Sequence, residues 1–243
     1  MSPDEIKYLL QRAQESADTQ NFLQALNYYN ILIDNDKAEP EYFRRRAYVH
    51  EMMDNINLAI NDINRAIELE PDNNDYYWVR GVFLSYKLTI ESCSEDKKNL
   101  KLLNCIICDY KASLERNPTD PVPWLNLIEY HILTYNFYDA VSLYGASKPY
   151  ITSSKFKKIR AYLGCIALIL ADEEIENEDI EPLEDHSVKL NNKLWRSLEL
   201  NKFLEKIGLK MNFNQKWKSV KKIHDQFMDD FEGESDELIR YLC

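Results

Sequence analysis

The sequence predicts an all-α chain, a solenoid of antiparallel helix pairs, and three observations predict it. Small residues recur at a step of 34, as Ala13, Ala47 and Gly81 in one series and as Ala25 and Ala59 in another. A fixed period of this size marks one supersecondary unit repeated and stacked on its neighbours. Where the step departs from 34 it does so consistently. Gly81 to Ile128 exceeds one period by 13, and Ala59 to Ala140 exceeds two periods by the same 13, so a single insertion near residues 91–103 restores the register. Prolines then fall where units should begin or end, at Pro40, Pro71, Pro118 and Pro121. Proline inside a helix forfeits a backbone hydrogen bond, so it punctuates helices.

Apolar spacing near 3.6 residues gives the elements in order. The first pair spans about Pro3–Asp18 and Phe22–Asp34, with Leu9, Leu10, Ala13 and Ala17 on one stripe and Phe22, Ala25, Leu26 and Tyr29 on the other. The second spans about Glu41–Met53 and Ile56–Leu69. The third, about Asp75–Thr89 and Leu100–Arg116, is split by the polar insertion. The fourth is about Pro123–Tyr135 and Tyr138–Ala146. Small residues are required where paired helices cross, because axes there lie about 8–10 Å apart. Beyond Tyr150 the period fades. Phe156–Ala171 reads as a helix of a decayed fifth repeat, followed by an acidic loop over 172–185. Helices over Val188–Ile207, Asn214–Phe231 and Asp236–Leu242 then form a C-terminal cap. The expected organisation is residues 1–150 as four helix pairs and 151–243 as fifth repeat, loop and cap.

These residues carry a resemblance to the tetratricopeptide-repeat family over roughly Ile6–Tyr150. From Pro40 to Pro71 the order runs Phe43, Ala47, Ala59, Ile63, Ala66 and Pro71; Trp124, Leu127, Ala140 and Tyr144 follow in the fourth unit, and Leu163-Gly164 matches the family's Leu-Gly pair. The chain departs from the pattern at Arg12, Arg46 and Arg80, where the family has leucine, and at Ile128, Ser113 and Ser147. The resemblance implies a right-handed superhelix that acts as a binding scaffold on its concave side. It also implies where a ligand sits: the second, fifth, ninth, twelfth and thirteenth positions of each first helix. Mapped here, they single out Arg44, Tyr48, Trp78, Val82, Tyr86, Leu125 and Glu129 as a partner-binding groove. One subgroup clamps the terminal carboxylate of heat-shock chaperones with lysine, arginine and asparagine. The matching positions here are Leu10, Gln14, Arg45, Asp75 and Val79, so the co-chaperone reading is rejected.

Composition narrows the rest. Forty-five per cent hydrophobic residues in 243 support a sizeable core, while five glycines are too few for a glycine-looped enzyme fold. The longest apolar run, Leu163–Ala171, falls short of the roughly 20 residues of a membrane span. Five cysteines without paired spacing fit a reducing compartment, so a cytoplasmic location is expected. A net charge of −11 argues against nucleic acid, whose phosphates would be repelled. The charge is uneven, however: residues 172–185 carry nine acids and no base, and the cap helices carry most of the nearby lysines.

Catalysis finds no motif. His50, His131, His186 and His224 sit in none, and phosphate loops and nucleophile elbows are lacking. Cys105 and Cys108 form a C-x-x-C inside a helix without a second ligand pair, and read as buried small hydrophobes rather than a zinc site. The arginines at 12, 46 and 80 read as packed-face residues paired with acids, their stems lying between helices. The expected function is therefore a non-enzymatic protein–protein interaction scaffold or adaptor, needing no cofactor and no metal, with an aromatic groove for a peptide or helix. Two alternatives accompany it: a small acidic holdase for secreted or assembling proteins, and binding of nucleic acid or an acidic partner by the basic C-terminal helices with Trp195 and Trp217. Self-association, and occupation of the groove by the chain's own C-terminal helices, are left open.

Overall fold

The computed structural model describes residues 1–87, 97–191, 200, 203–204, 215–228 and 230–232. The insertion at 88–96, Trp195 and the expected helix over Asp236–Leu242 lie outside them. Eleven helices are described, in two compact units, Met1–Arg116 and Asn117–Cys243. The units thus part near residue 116 rather than after 150, and the fourth helix pair goes with the C-terminal helices.

The first unit holds α1 (Pro3–Asp18), α2 (Phe22–Asn35), α3 (Pro40–Met52), α4 (Ile56–Leu69), α5 (Asn74–Ser85) and α6 (Lys97–Arg116). Local chemistry starts each odd-numbered helix. Ser2 and Glu5 form a reciprocal capping box ahead of Pro3, Pro40 opens α3, and the Asn73 side chain accepts from the Asp75 amide at 3.1 Å. The first two helix pairs close through a left-handed residue: Gln20 at φ 60° and Asp54 at φ 61°. The next amide then bonds back across the turn, Asn21 N to Ser16 O at 2.7 Å and Asn55 N to His50 O at 2.8 Å, satisfying carbonyls the helix end would orphan. Ala13, Ala25, Ala47 and Ala59 are fully buried at the crossings. At Gly81 an added Cβ would stand 2.8 Å from the Tyr110 ring, so α5 and α6 meet at van der Waals limits.

Arginine, in place of the family's leucine, stitches neighbouring pairs together. Arg46 donates Nε and Nη2 to Asp62 at 2.8 and 2.6 Å, and Nη1 to Asn30 at 2.7 Å, so α3 is tied to both α4 and α2. Arg80 repeats this with Asp109 at 2.9 and 2.6 Å and Asn64 at 2.8 Å. The sequence separation is 16 residues from Arg46 to Asp62 and 29 from Arg80 to Asp109, a difference of 13, the size of the insertion. Paired forks of this kind specify register, because a slip would leave a charge buried alone.

The second unit holds α7 (Pro121–Leu133), α8 (Phe137–Ser147), α9 (Ser154–Ala171), α10 (Asn177–Glu184) and α11 (Gln215–Met228). Asp120 caps Val122 N at 3.0 Å, and Tyr135 at φ 62° makes the same left-handed turn as Gln20 and Asp54. Every residue of α9 from Lys158 to Ala171 is buried, because α7, α8, α10 and α11 all pack on it. A helix covered on every side must be apolar nearly all round, and Leu163–Ala171 is. The acidic stretch is not a loop throughout: Tyr144 donates to Asp179 at 2.5 Å, which draws α10 onto α8 and α9. Nor is Val188–Ile207 one helix. Leu190–Asn191 pairs in parallel with Phe231–Glu232 in a two-residue ladder, and Leu200, Phe203 and Leu204 are buried beyond it.

Arginine also gives the register of α9. Arg160 donates to Tyr144 O at 2.9 Å and Ser147 Oγ at 3.0 Å, reaching back 16 residues as Arg46 reaches Asn30 and Arg80 reaches Asn64. By that reach Arg160-Ala161 matches Arg46-Ala47 and Arg80-Gly81, while Gly164 of the expected Leu163-Gly164 pair lies against the Tyr144 ring, where no Cβ would fit.

Candidate functional site

In the first unit the inner helices α3 and α5 present the residues singled out by the repeat frame. Arg44, Tyr48, Trp78 and Val82 are half-buried, and Tyr86 is 46% exposed. Tyr48 and Trp78 rest on the unit's core, so their rings are fixed from below while their upper surfaces reach solvent. Tyr48 packs edge-on to Phe83 with centroids 5.8 Å apart. Trp78 Nε1 donates to Asp75 at 3.3 Å. These contacts set rotamers in advance, which lowers the entropic cost of binding a ligand.

The polar end of this face is a three-residue network. Glu41 accepts from Arg44 Nε and Nη2 at 2.7 and 2.6 Å and from Arg45 Nε at 2.7 Å. Burial alone would push the Glu41 carboxyl up, but the two guanidiniums outweigh it and hold it below the usual carboxylate range. The bond to Glu41 likewise raises Arg44 above the ordinary guanidinium value. Two cations share one anion, so the network keeps a net positive charge. The Arg44 guanidinium also lies 5.4 Å from the Tyr48 ring centroid. Arg44 is thus not the uncommitted bidentate donor that its position suggests; its Nε–Nη2 edge is taken within its own helix.

Leu125 and Glu129 belong to the second unit, where they are 2% and 7% exposed, too buried to meet a ligand. Two residues that sequence reasoning passed over explain much of that unit. Counted from Arg160, Lys158 stands at the position of Arg44 and Tyr162 at that of Tyr48. Both are covered. Phe227 of α11 stacks on Tyr162 at 3.9 Å and 6°, and the Tyr162 hydroxyl meets His224 Nδ1 at 2.7 Å. Lys158 Nζ pairs with Asp230 at 2.6 Å and donates to Asp185 O at 2.8 Å and Val188 O at 3.2 Å. Asp230 receives Lys189 at 3.1 Å and His186 at 3.2 Å as well. Burial works against the Asp230 charge, yet hydrogen bonds from Lys158, Lys189 and His186 hold its carboxyl at about 2. The signal that could have found this pair was the repeated arginine: reading Arg160 in register with Arg80 puts Lys158 and Tyr162 in the rows of Arg44 and Tyr48.

Cys105 and Cys108 are exposed on α6, not buried as expected. Among the described residues no three of histidine, cysteine, aspartate and glutamate gather to hold a metal, and no helix is long and apolar enough to cross a membrane.

No family model matches the sequence, and no curated protein does. Solved structures do match in shape. The chain is similar to MamA, at 12% identity and a TM-score of 0.54, over 88% of this chain and 97% of that one. A MamA fragment from Desulfovibrio magneticus RS-1 matches at 11% identity and 0.53, over 88% and 100%. YrrB, described as a TPR protein with an unusual peptide-binding site, matches at 13% identity and 0.50, over 71% and 79%. With its 34-residue register and stacked helix pairs, the chain has the tetratricopeptide-repeat fold.

Proposed function

We propose that the protein is a non-enzymatic interaction scaffold that holds a peptide or helix of another protein on the inner face of α3 and α5. The observation that carries this reading is the row of Tyr48, Trp78 and Tyr86, large rings anchored on rigid helices with part of their area in solvent. Such rings supply apolar area with few rotamers to freeze, and with arginine they are the residue types that dominate interface energy. The likeness of YrrB, which has a peptide-binding site, supports the class of ligand. Photo-crosslinking tests it. A benzophenone side chain at Tyr86 should capture a partner protein from the native host, and the same group at Leu58, exposed on α4, should not. Trp78→Ala and Tyr86→Ala should each weaken the captured partner's binding by about 1–3 kcal/mol without loss of helicity. Capture at both positions alike, or silent groove variants, would remove the site from this face.

A further inference from the structure

The second unit already contains a ligand of its own making. Helix α11 buries Val220, Ile223 and Phe227, a helical stripe at spacings of three and four, and lies on α9. Near its end Phe227 presents an aromatic ring to Tyr162, and Asp230, three residues later and past the helix end at Met228, presents a carboxylate to Lys158. The receiving pair is a cation followed one turn later by tyrosine, Lys158 and Tyr162. The first unit carries the same pair at the same positions of its own repeat, Arg44 and Tyr48. There the tyrosine is half-buried, whereas Tyr162 is 1% exposed.

We infer that the α3–α5 face takes a partner helix of the α11 kind, with an aromatic side chain for Tyr48 and, three residues on, a carboxylate for Arg44. This rests on the scaffold reading and narrows its ligand. Aromatic stacking on tyrosine is favourable for any ring of suitable offset, and the neighbouring Trp78 and Val82 extend the apolar strip for the rest of such a helix. The positive balance of Arg44, Arg45 and Glu41 selects a carboxylate over a lysine at the following position. The chain's own α11 is committed to α9, so the occupant is a helix of another protein, recognised by the aromatic–acid pair.

The probe is a fluorescein-labelled synthetic peptide of residues 215–232, titrated against the full chain by anisotropy. Saturable binding is expected. Tyr48→Ala should weaken it about tenfold or more, and Phe227→Ala in the peptide should do the same. Arg44→Gln should weaken the parent peptide about threefold to tenfold, and should have no effect on a peptide carrying Asp230→Asn. That cycle also excludes exchange with the resident α11 on α9, which does not involve Arg44. Absence of binding, or equal binding to Tyr48→Ala with its helicity intact, overturns the inference. Should Tyr48→Ala lose helicity, the Arg44 cycle decides alone: equal losses with both peptides overturn it. If crosslinking at Tyr86 succeeds while the peptide fails, the scaffold reading stands and this ligand chemistry falls; if both fail, both fall.

Discussion

The inner helices of the two units share a design and differ in what lies on them. In the first, α3 offers Arg44 and Tyr48 with their outer surfaces partly in water. In the second, α9 offers Lys158 and Tyr162, each at most 1% exposed under the C-terminal segment. The difference follows from charge and apolarity on α9. A fully buried lysine such as Lys158 costs several kcal/mol unless a carboxylate reaches it, and Asp230 does. Arg44 meets its counter-ion Glu41 within its own helix, where both side chains are half-buried, so nothing distant is needed to neutralise it. One face is covered by the chain's own C-terminal segment, and the other is partly exposed.

The largest expected effect separates the faces by stability. Phe227→Ala removes a ring that is fully buried and stacked, and should cost about 3–5 kcal/mol in urea unfolding. Tyr48→Ala, at the equivalent row of the first unit, should cost about 1–2 kcal/mol, since its ring is only partly buried. Equal losses would erase the distinction between a covered and a partly exposed face.

A smaller effect is pH-dependent and confined to the second unit. Asp230 has its carboxyl depressed to about 2 from an ordinary 3.8. Its contribution is therefore complete above about pH 4 and is lost as pH falls through about 2, on the order of 2 kcal/mol. The groups facing it are Lys158, Lys189 and His186, with the Asp185 carboxylate nearby. Acid titration of α11 docking, followed by protection of the Phe227 region, should flatten in Asp230→Asn; an unchanged acid limb in that variant would contradict a stabilising role for the Lys158–Asp230 pair.

The smallest concerns a feature common to both units, the left-handed residue between paired helices. Gln20→Gly relieves a φ of 60° that a side chain adopts at some cost, and should stabilise by about 0.5–1 kcal/mol after the entropy of glycine is charged. A thermal melt moving downwards would mean that the Gln20 side chain holds its turn in some other way.

Legibility followed the range of the interactions. The helix pairs around Ala13, Ala47 and Gly81 could be read because packing between adjacent helices repeats every 34 residues, and repetition amplifies a weak local signal. The ion-pairing of Arg46 and Arg80 could be read for the same reason. The aromatic face of α3 and α5 could be named, since its positions are counted along single helices. The Cys105 and Cys108 positions could not, because the insertion ahead of α6 hides which way its turns face.

By itself the sequence determined the unit: its length, the small residues at its crossings, the capped starts, and the rows from which Arg44, Tyr48, Trp78, Val82 and Tyr86 project. Those are consequences of the helical period and of neighbours close along the chain. Tertiary structure decided which rows are covered. Lys158 and Asp230 are 72 residues apart, Tyr162 and Phe227 are 65 apart, and Tyr144 and Asp179 are 35 apart. None of these pairs obeys the repeat, so no periodicity announces them. Their partners are chosen by burial, since a charge or hydroxyl taken out of water must find its complement wherever the chain can bring one.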